Sequence, residues 1–262
     1  MKVKALNLLL IASSIGAVIA TAAIALKSQS PPGQSKKTAL EQADEDFYTL
    51  VDFNAPLPAD PKEHARRQAR AKRYDMVVEK GVDPSLFAIT EKRESFFGTP
   101  PTDMPREVAL PVSQSDAVVI GFLGDAKAFL TNDKTDIGSE FTVRVEDVLK
   151  DNPLSVLRTG DSITTLRFGG GVRFPSGKII RTGMWGRPLP KEGRRYLFFL
   201  KYNNDEGNDY LILTAYELTA GKVSPLDGIV PGGNVDLEYA AYRKYDGADI
   251  DAFIREVRNL LI

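Results

Sequence analysis

The chain has 262 residues, 43% of them apolar, which is enough for a sizeable core; 34 Lys and Arg face 35 Asp and Glu. A net charge of −1 supplies no global attraction to nucleic acid or to an anionic membrane. There is no cysteine and one histidine, His64, which excludes disulfide partners, Cys/His zinc clusters, thiol nucleophiles and a lipid-modified N-terminal cysteine.

A Ser-His-Asp triad would have to use His64, which lies in a basic segment with no nucleophile motif nearby. Any catalysis would rest on carboxylates, Lys, Tyr or a bound cation. The sequence assigns no catalytic residue, no cofactor site and no metal site.

Residues 1–26 read as a signal peptide or membrane anchor. Lys2 and Lys4 give a basic start, and an uncharged run of 22 residues follows from Ala5 to Leu26. As a helix that run spans about 33 Å and can cross a hydrocarbon core of about 30 Å. The small residues Ala23 and Ala25 fit a cleavage site equally. The length favours an uncleaved N-terminal membrane helix, anchored in the inner membrane and facing the periplasm or extracytoplasmic space. The other outcome is secretion after cleavage.

Residues 27–57 are largely irregular linker, rich at first in Ser, Gln, Lys and Pro. Residues 58–108 hold a basic helix and an extended segment. Asp60 is its N-cap, Pro61 its first helical residue and Gly81 its close. It carries Lys62, Arg66, Arg67, Arg70, Lys72 and Arg73. Beside a membrane anchor such a helix suits phospholipid or polyanion contact; the plainer reading is a solvated helix paired with Glu41, Asp44, Glu45 and Asp46.

Residues 109–228 show a period of two and read as an antiparallel β domain. In "EFTVRVEDVL", Phe141, Val143 and Val145 share one face, with Glu140, Thr142, Arg144 and Glu146 opposite. "DAVVIGFLG" and "RRYLFFLKY" are apolar on both faces, as central or barrel strands are. "DSITTLRF", "YLILTAYEL" and a short "VSPLDG" complete the set, separated by turn residues. The fold class is therefore mainly β, a small antiparallel barrel or sandwich. Residues 229–262 hold a Gly- and Pro-containing loop and an amphipathic C-terminal helix that should dock on it. Its stripe is Ile250, Phe253, Ile254, Val257, Leu260 and Leu261.

"RFGGGVRFPSGKIIRTG" places three glycines beside Arg and Lys but is not a phosphate cradle. Gly171 and Gly177 enclose five residues, Lys178 is followed by Ile179, and a strand-like run follows where a P-loop needs a helix. No βαβ unit surrounds it as a dinucleotide fingerprint requires. Turn chemistry suits it better: the triple glycine and Pro175-Ser176-Gly177 read as two consecutive hairpin connections.

From Arg158 to Lys201 ten basic residues face only Asp161 and Glu192. Arg173, Lys178, Arg181 and Trp185 mark the candidate anion-binding surface, for a polyanion or anionic glycan; structural or solubility use is the competing reading. Trp185 sits in a Gly- and Pro-rich loop and suits a plug over a barrel end. "NNDEGND" lacks the distal Glu and flanking helices of a calcium loop and reads as a hairpin turn. Glu140 and Glu146 are roughly 20 Å apart along one strand, too far to serve as a glycosidase pair.

The β segment resembles a family of exported bacterial proteins with a small β-rich, OB-like domain. The residues that carry the likeness are "LPVSQSDAVVIG", "SEFTVRVEDVLK", "TGDSITTLRFGGGVRFPSGK", "GRRYLFFLKYN" and "YELTAGKVSPLDG". It covers roughly residues 108–228, with weaker echoes in "NAPLPADPKEHARRQARAKRYD". The resemblance implies a fold and no activity, so no site residue comes with it. The expectation is an exported envelope protein acting as a non-catalytic binding or interaction module. Its partner would be a polyanion, an anionic glycan or an envelope protein. The alternative is a carboxylate-based hydrolase of envelope glycans.

Overall fold

The computed structural model describes residues 49–74, 88–98, 108–184, 186–204, 207–228 and 240–261. The expected anchor at residues 1–26, most of the linker and the close of the basic helix at Gly81 lie outside them, as does Trp185. Among the described residues, no helix is long and apolar enough to cross a membrane.

The chain is mainly β, in sheets that are mostly antiparallel. Five strands pair in a ring: β3 (Ala117–Leu130), β4 (Ile137–Lys150), β5 (Ser162–Phe168), β8 (Arg195–Asn203) and β9 (Asp209–Thr219). The order is β9-β5-β4-β3-β8, and β8 pairs back onto β9. One ladder of the ring, β5 with β9, is parallel. β10 (Lys222–Pro225) extends β9 at the edge. The register of β3 against β4 shifts at three places, near Val118, Ile120 and Leu123. Such bulges bend and twist long strands, which a ring of only five requires. Gly121 sits at one of them, where an added Cβ would lie 2.9 Å from the Arg144 carbonyl oxygen.

The two kinds of strand pattern now separate. β4 alternates because one face is core and the other is not: Phe141, Val143 and Val145 are buried, while Thr142 and Arg144 are exposed. β8 is apolar on both faces because both are covered. Tyr196, Phe198 and Leu200 point into the ring with Val143, Ile163 and Tyr210. Leu197 and Phe199 point outward into a second core with Leu110, Tyr216, Phe253 and Val257. At the centre of that outer core the Tyr216 ring lies 4.8 Å from Phe253 and 5.7 Å from Tyr245, centroid to centroid. Its hydroxyl donates to the Ala109 carbonyl, and burial holds its pKa far above the ordinary tyrosine range.

The C-terminal helix that covers this face is α3 (Ile250–Asn259), preceded by the short α2 (Ala240–Arg243). Asp249 caps α3 by accepting from the Ala252 backbone N–H at 3.0 Å. Phe253 and Val257 are its buried contacts, with Ile250, Ile254 and Leu261 packed beside them. Leu260 departs from the expected stripe. It is the C-cap residue, where the chain leaves the helix, and is 54% exposed.

The triple glycine corrects the hairpin reading. Gly169 follows the end of β5 and Gly170 begins β6 (Gly170–Arg173), which belongs to a different sheet. Here the chain crosses between sheets rather than folding back on β5. Gly169 and Gly170 take φ of 116° and 147°, and a Cβ on Gly170 would lie 2.8 Å from Ile137 Cγ2. The second turn forms as expected. Gly177 at φ 88° donates to the Phe174 carbonyl at 2.8 Å, and β7 (Ile179–Met184) returns against β6.

This hairpin is flanked on both edges by parallel strands, β1 (Leu50–Asp52) and β2 (Phe96–Gly98). Both come from stretches whose sequence reads as irregular or merely extended. Each is three residues long, too short to show a period. Val172, Phe174 and Ile180 pack with Ile89, Ile137 and Ala128 as a third core. The basic helix α1 (Pro61–Tyr74) starts where Asp60 and Pro61 place it, with Asp60 accepting from the Lys62 N–H at 3.1 Å.

Truncating Phe253 to Ala should cost about 3–5 kcal/mol, since it opens a cavity among aromatic rings. Removing the cap with Asp249→Ala should cost about 1 kcal/mol. Equilibrium unfolding in urea measures both. Equal costs for the two variants would mean that the helix is not docked through Phe253.

Candidate functional site

The basic hairpin comes first, because the sequence pointed there. Directly opposed residues of an antiparallel ladder share a face. The pairs Arg173–Ile179 and Gly171–Arg181 therefore put Arg173 and Arg181 on one side of β6–β7. The other side carries Val172 and Ile180 into the third core. Sharing a face does not leave the charges uncommitted. Arg173 lies 3.7 Å from the Asp52 carboxylate on β1. The Lys178 ammonium donates to the carbonyls of Glu91 and Arg93 at 2.6 and 3.1 Å. Arg181 is half-buried, and its backbone N–H donates to Ser95 Oγ at 3.1 Å. Trp185, the fourth residue of the group, lies outside the described residues.

The wider basic run is distributed in the same way. Arg167 is buried and paired with Asp227, the two side chains being 5% and 0% exposed. Arg194 reaches Glu217, Arg195 reaches Glu146 at 2.7 Å, and Lys201 reaches Asp116 at 2.9 Å. Each acid comes from another strand or loop. A window of sequence counts such residues as uncompensated, whereas the folded chain balances them.

A second site was not legible in the sequence. The parallel ladder between β5 and β9 holds only Thr165 with Tyr210 and Leu166 with Leu211. Before it, Ser162–Thr164 diverge from the β8–β9 turn, and a cavity of about 550 Å³ opens at the seam. Its walls are Ser162, Ile163 and Thr164 on one side and Gly207 and Asn208 on the other. Val156 contributes apolar surface, with Tyr210 and Leu157 buried behind the lining. Arg66 of α1 reaches over it and donates to Thr164 Oγ1 at 3.3 Å. Asp161 is the carboxylate of the lining, and its Oδ2 accepts from the Arg158 N–H at 2.7 Å.

The loop at one rim, residues 151–161, is tightly held. Asp151 accepts from the Leu157 N–H, Asn152 accepts from the Leu154 N–H, and the Tyr210 hydroxyl donates to the Ser155 carbonyl. Asn152 is itself buried and donates to the Tyr210 hydroxyl oxygen. Yet the same loop holds Leu154 and Val156 outward, 72% and 61% exposed. In sequence the only trace is three aliphatic residues, Leu154, Val156 and Leu157, between Pro153 and Gly160, where a loop would be expected to be polar.

The β3–β4 turn is a separate polar cluster. Thr131 Oγ1 and Thr135 donate to Asp133 Oδ1, which closes the turn that "TNDKTD" suggests. Burial pushes the Asp136 carboxyl up to about 7, with the Asp133 charge adding to it and the Ile137 N–H opposing.

No family model matches the chain, and no curated protein matches it in sequence.

Two predictions follow from these contacts. Lys178→Gln should cost about 1 kcal/mol or less, as exposed charge-assisted bonds do, and should speed backbone hydrogen exchange in residues 89–95. Unaltered exchange there would mean that the ammonium does not hold this segment. Asp136 has a folded pKa above its unfolded value, so it binds its proton more tightly in the native state. Its penalty is absent below about pH 4, grows as pH rises, and is complete above about 7. Asp136→Asn should therefore stabilise the protein at pH 8 and lose that advantage by pH 4, measured by thermal unfolding.

Proposed function

We propose that the chain is an exported envelope protein whose β domain is a non-catalytic binding module, with the seam groove as its site. The export reading rests on the first 26 residues, where two lysines precede an uncharged run long enough to cross a membrane. The observation that carries the binding reading is the lining of the groove. Among the described residues it offers hydroxyls, an amide and aliphatic surface around one carboxylate, Asp161, already bonded by the Arg158 N–H. Glycoside hydrolysis needs two carboxyl groups facing one space, and among the described residues this lining presents one, which favours binding over the hydrolase alternative.

The strand order adds support by analogy. Numbered from β3, the ring reads 5-3-2-1-4 and closes from 4 back to 5, with strands 3 and 5 parallel. OB-like barrels have this kind of five-stranded closure and bind across strands 2 and 3 and the adjoining loops. Here those strands are β4 and β5, and the groove lies between β5 and the β8–β9 turn. The polyanion reading of the hairpin is the weaker placement, because Arg173 and Lys178 are engaged with Asp52 and with backbone carbonyls.

A thermal-shift panel on the full chain in detergent micelles tests the reading. The panel contains single-stranded DNA, an anionic glycan, neutral envelope oligosaccharides, anionic lipid and short peptides, at about 50 and 200 mM salt. Stabilisation that changes little with salt and disappears in Ser162→Trp, which fills the groove, is the expected result. A strongly salt-dependent shift abolished by Arg173→Gln with Lys178→Gln would move the site to the hairpin. Release of product from the oligosaccharides would establish the hydrolase instead.

A further inference from the structure

We infer that the seam groove receives an extended polypeptide segment of another protein, its backbone pairing along Ser162–Thr164 and its aliphatic side chains resting on Leu154 and Val156. This rests on the groove being a binding site, and it names what the site binds.

The first ground is the strand edge. Val145 donates to the Asp161 carbonyl and accepts from the Gly160 N–H, both at 2.8 Å, with Gly160 at φ 95°. That is a bulge with glycine in its first position, and it sets the phase of the ladder that follows. Val143 with Ile163 is the next bonded pair of β4 and β5, in alternation. The backbone N–H and C=O of Ser162 and Thr164 therefore turn away from β4 and toward the seam. The parallel pair Thr165–Tyr210 takes the Thr164 carbonyl, which accepts from the Tyr210 N–H, so the edge left bordering the cavity is the N–H and C=O of Ser162 and the N–H of Thr164. A strand edge facing a cavity is the geometry of strand addition, in which main-chain bonds supply affinity and alternate side chains supply selectivity.

The second ground is the rim. Leu154 and Val156 are the two most exposed large aliphatic residues among those described, and both stand on the braced loop beside this groove. A loop held by Asp151, Asn152 and Tyr210 cannot fold them inward, so their exposure is built in.

The third ground is what the lining does not offer. Tyr210 is 1% exposed, so no aromatic face in the groove is available to stack on a sugar or a base. The lining suits amides and hydroxyls instead. Arg66 at its rim is already paired with Glu63 at 3.4 Å and bonded to Thr164 Oγ1, so it imposes no charge preference on the incoming strand.

The test uses capped, fluorescein-labelled hexapeptides of alternating Val and Thr beginning with Glu or with Lys, and the full chain in detergent micelles. Fluorescence anisotropy should show saturable binding, similar for the Glu and the Lys peptide. Affinity should fall at least about tenfold in Leu154→Ser with Val156→Ser, and stay unchanged in Leu57→Ser, an exposed leucine elsewhere. N-methylation of alternate peptide nitrogens, which removes the pairing donors, should abolish binding to the unaltered protein. Circular dichroism confirms that the double variant folds, as expected for substitutions at exposed positions. Binding that survives both the double variant and N-methylation overturns the proposal. If no peptide binds but a neutral oligosaccharide does, and Ser162→Trp blocks it, the binding-site reading stands and the polypeptide assignment fails. If neither class binds, both fall.

Discussion

The ring closes through two residue pairs, Thr165 with Tyr210 and Leu166 with Leu211, the short parallel ladder between β5 and β9. Everything else in the barrel is antiparallel and could be laid out as an open sheet in the order β5-β4-β3-β8-β9. This one ladder brings the last strand beside the third and turns a sheet into an enclosed core. Its shortness has a second consequence. Because pairing begins only at Thr165, the lower part of β5 parts from the β8–β9 turn, and the seam groove exists there. Closure and cavity are two outcomes of one constraint: five strands with bulges can close at one level of the ring but diverge at another.

The outer face of the ring explains why the C-terminal helix is part of the domain. β3, β8 and β9 each carry apolar residues on both faces, so a bare barrel would leave Val118, Leu197, Phe199 and Tyr216 in water. α3 and residues 109–112 cover them. Tyr216 is the point where these elements meet. Its ring lies against Phe253, Tyr245 and Tyr242, and its hydroxyl reaches Ala109. A buried hydroxyl left without such an acceptor would be costly, so this bond also fixes where the 109–112 segment runs.

Charge in this protein follows topology more than local sequence. The run from Arg158 to Lys201 looks like a basic surface when read along the chain. In the fold it is interleaved with Asp52, Asp116, Glu146, Glu217 and Asp227, drawn from strands and loops as far as 121 residues away in sequence, the separation of Arg173 and Asp52. Exposed pairs of this kind contribute little stability individually, but they leave the hairpin with far less net field than its composition suggests. Arg167 is the extreme case, since an arginine placed by sequence beside a glycine turn is in fact buried against Asp227.

Several features were set by local residue chemistry alone. The alternation of β4 and the double-sided strands β3 and β8 were legible because burial imposes a period of two or removes it. The helix start at Asp60–Pro61 and the Pro175–Gly177 turn were legible because capping and positive φ act within a few residues. Tertiary structure alone decided the rest. Three-residue strands such as β1 and β2 carry no period, so their pairing with the hairpin depends on which edges are within reach. The triple glycine could serve a hairpin or a crossover, and the choice lay with distant partners of β5 and β6. The groove is built from a loop, a strand, a turn and a helix far apart in the chain. Its position follows from where β5 and β9 stop pairing, which is a property of closure in three dimensions and is written in no single stretch of residues.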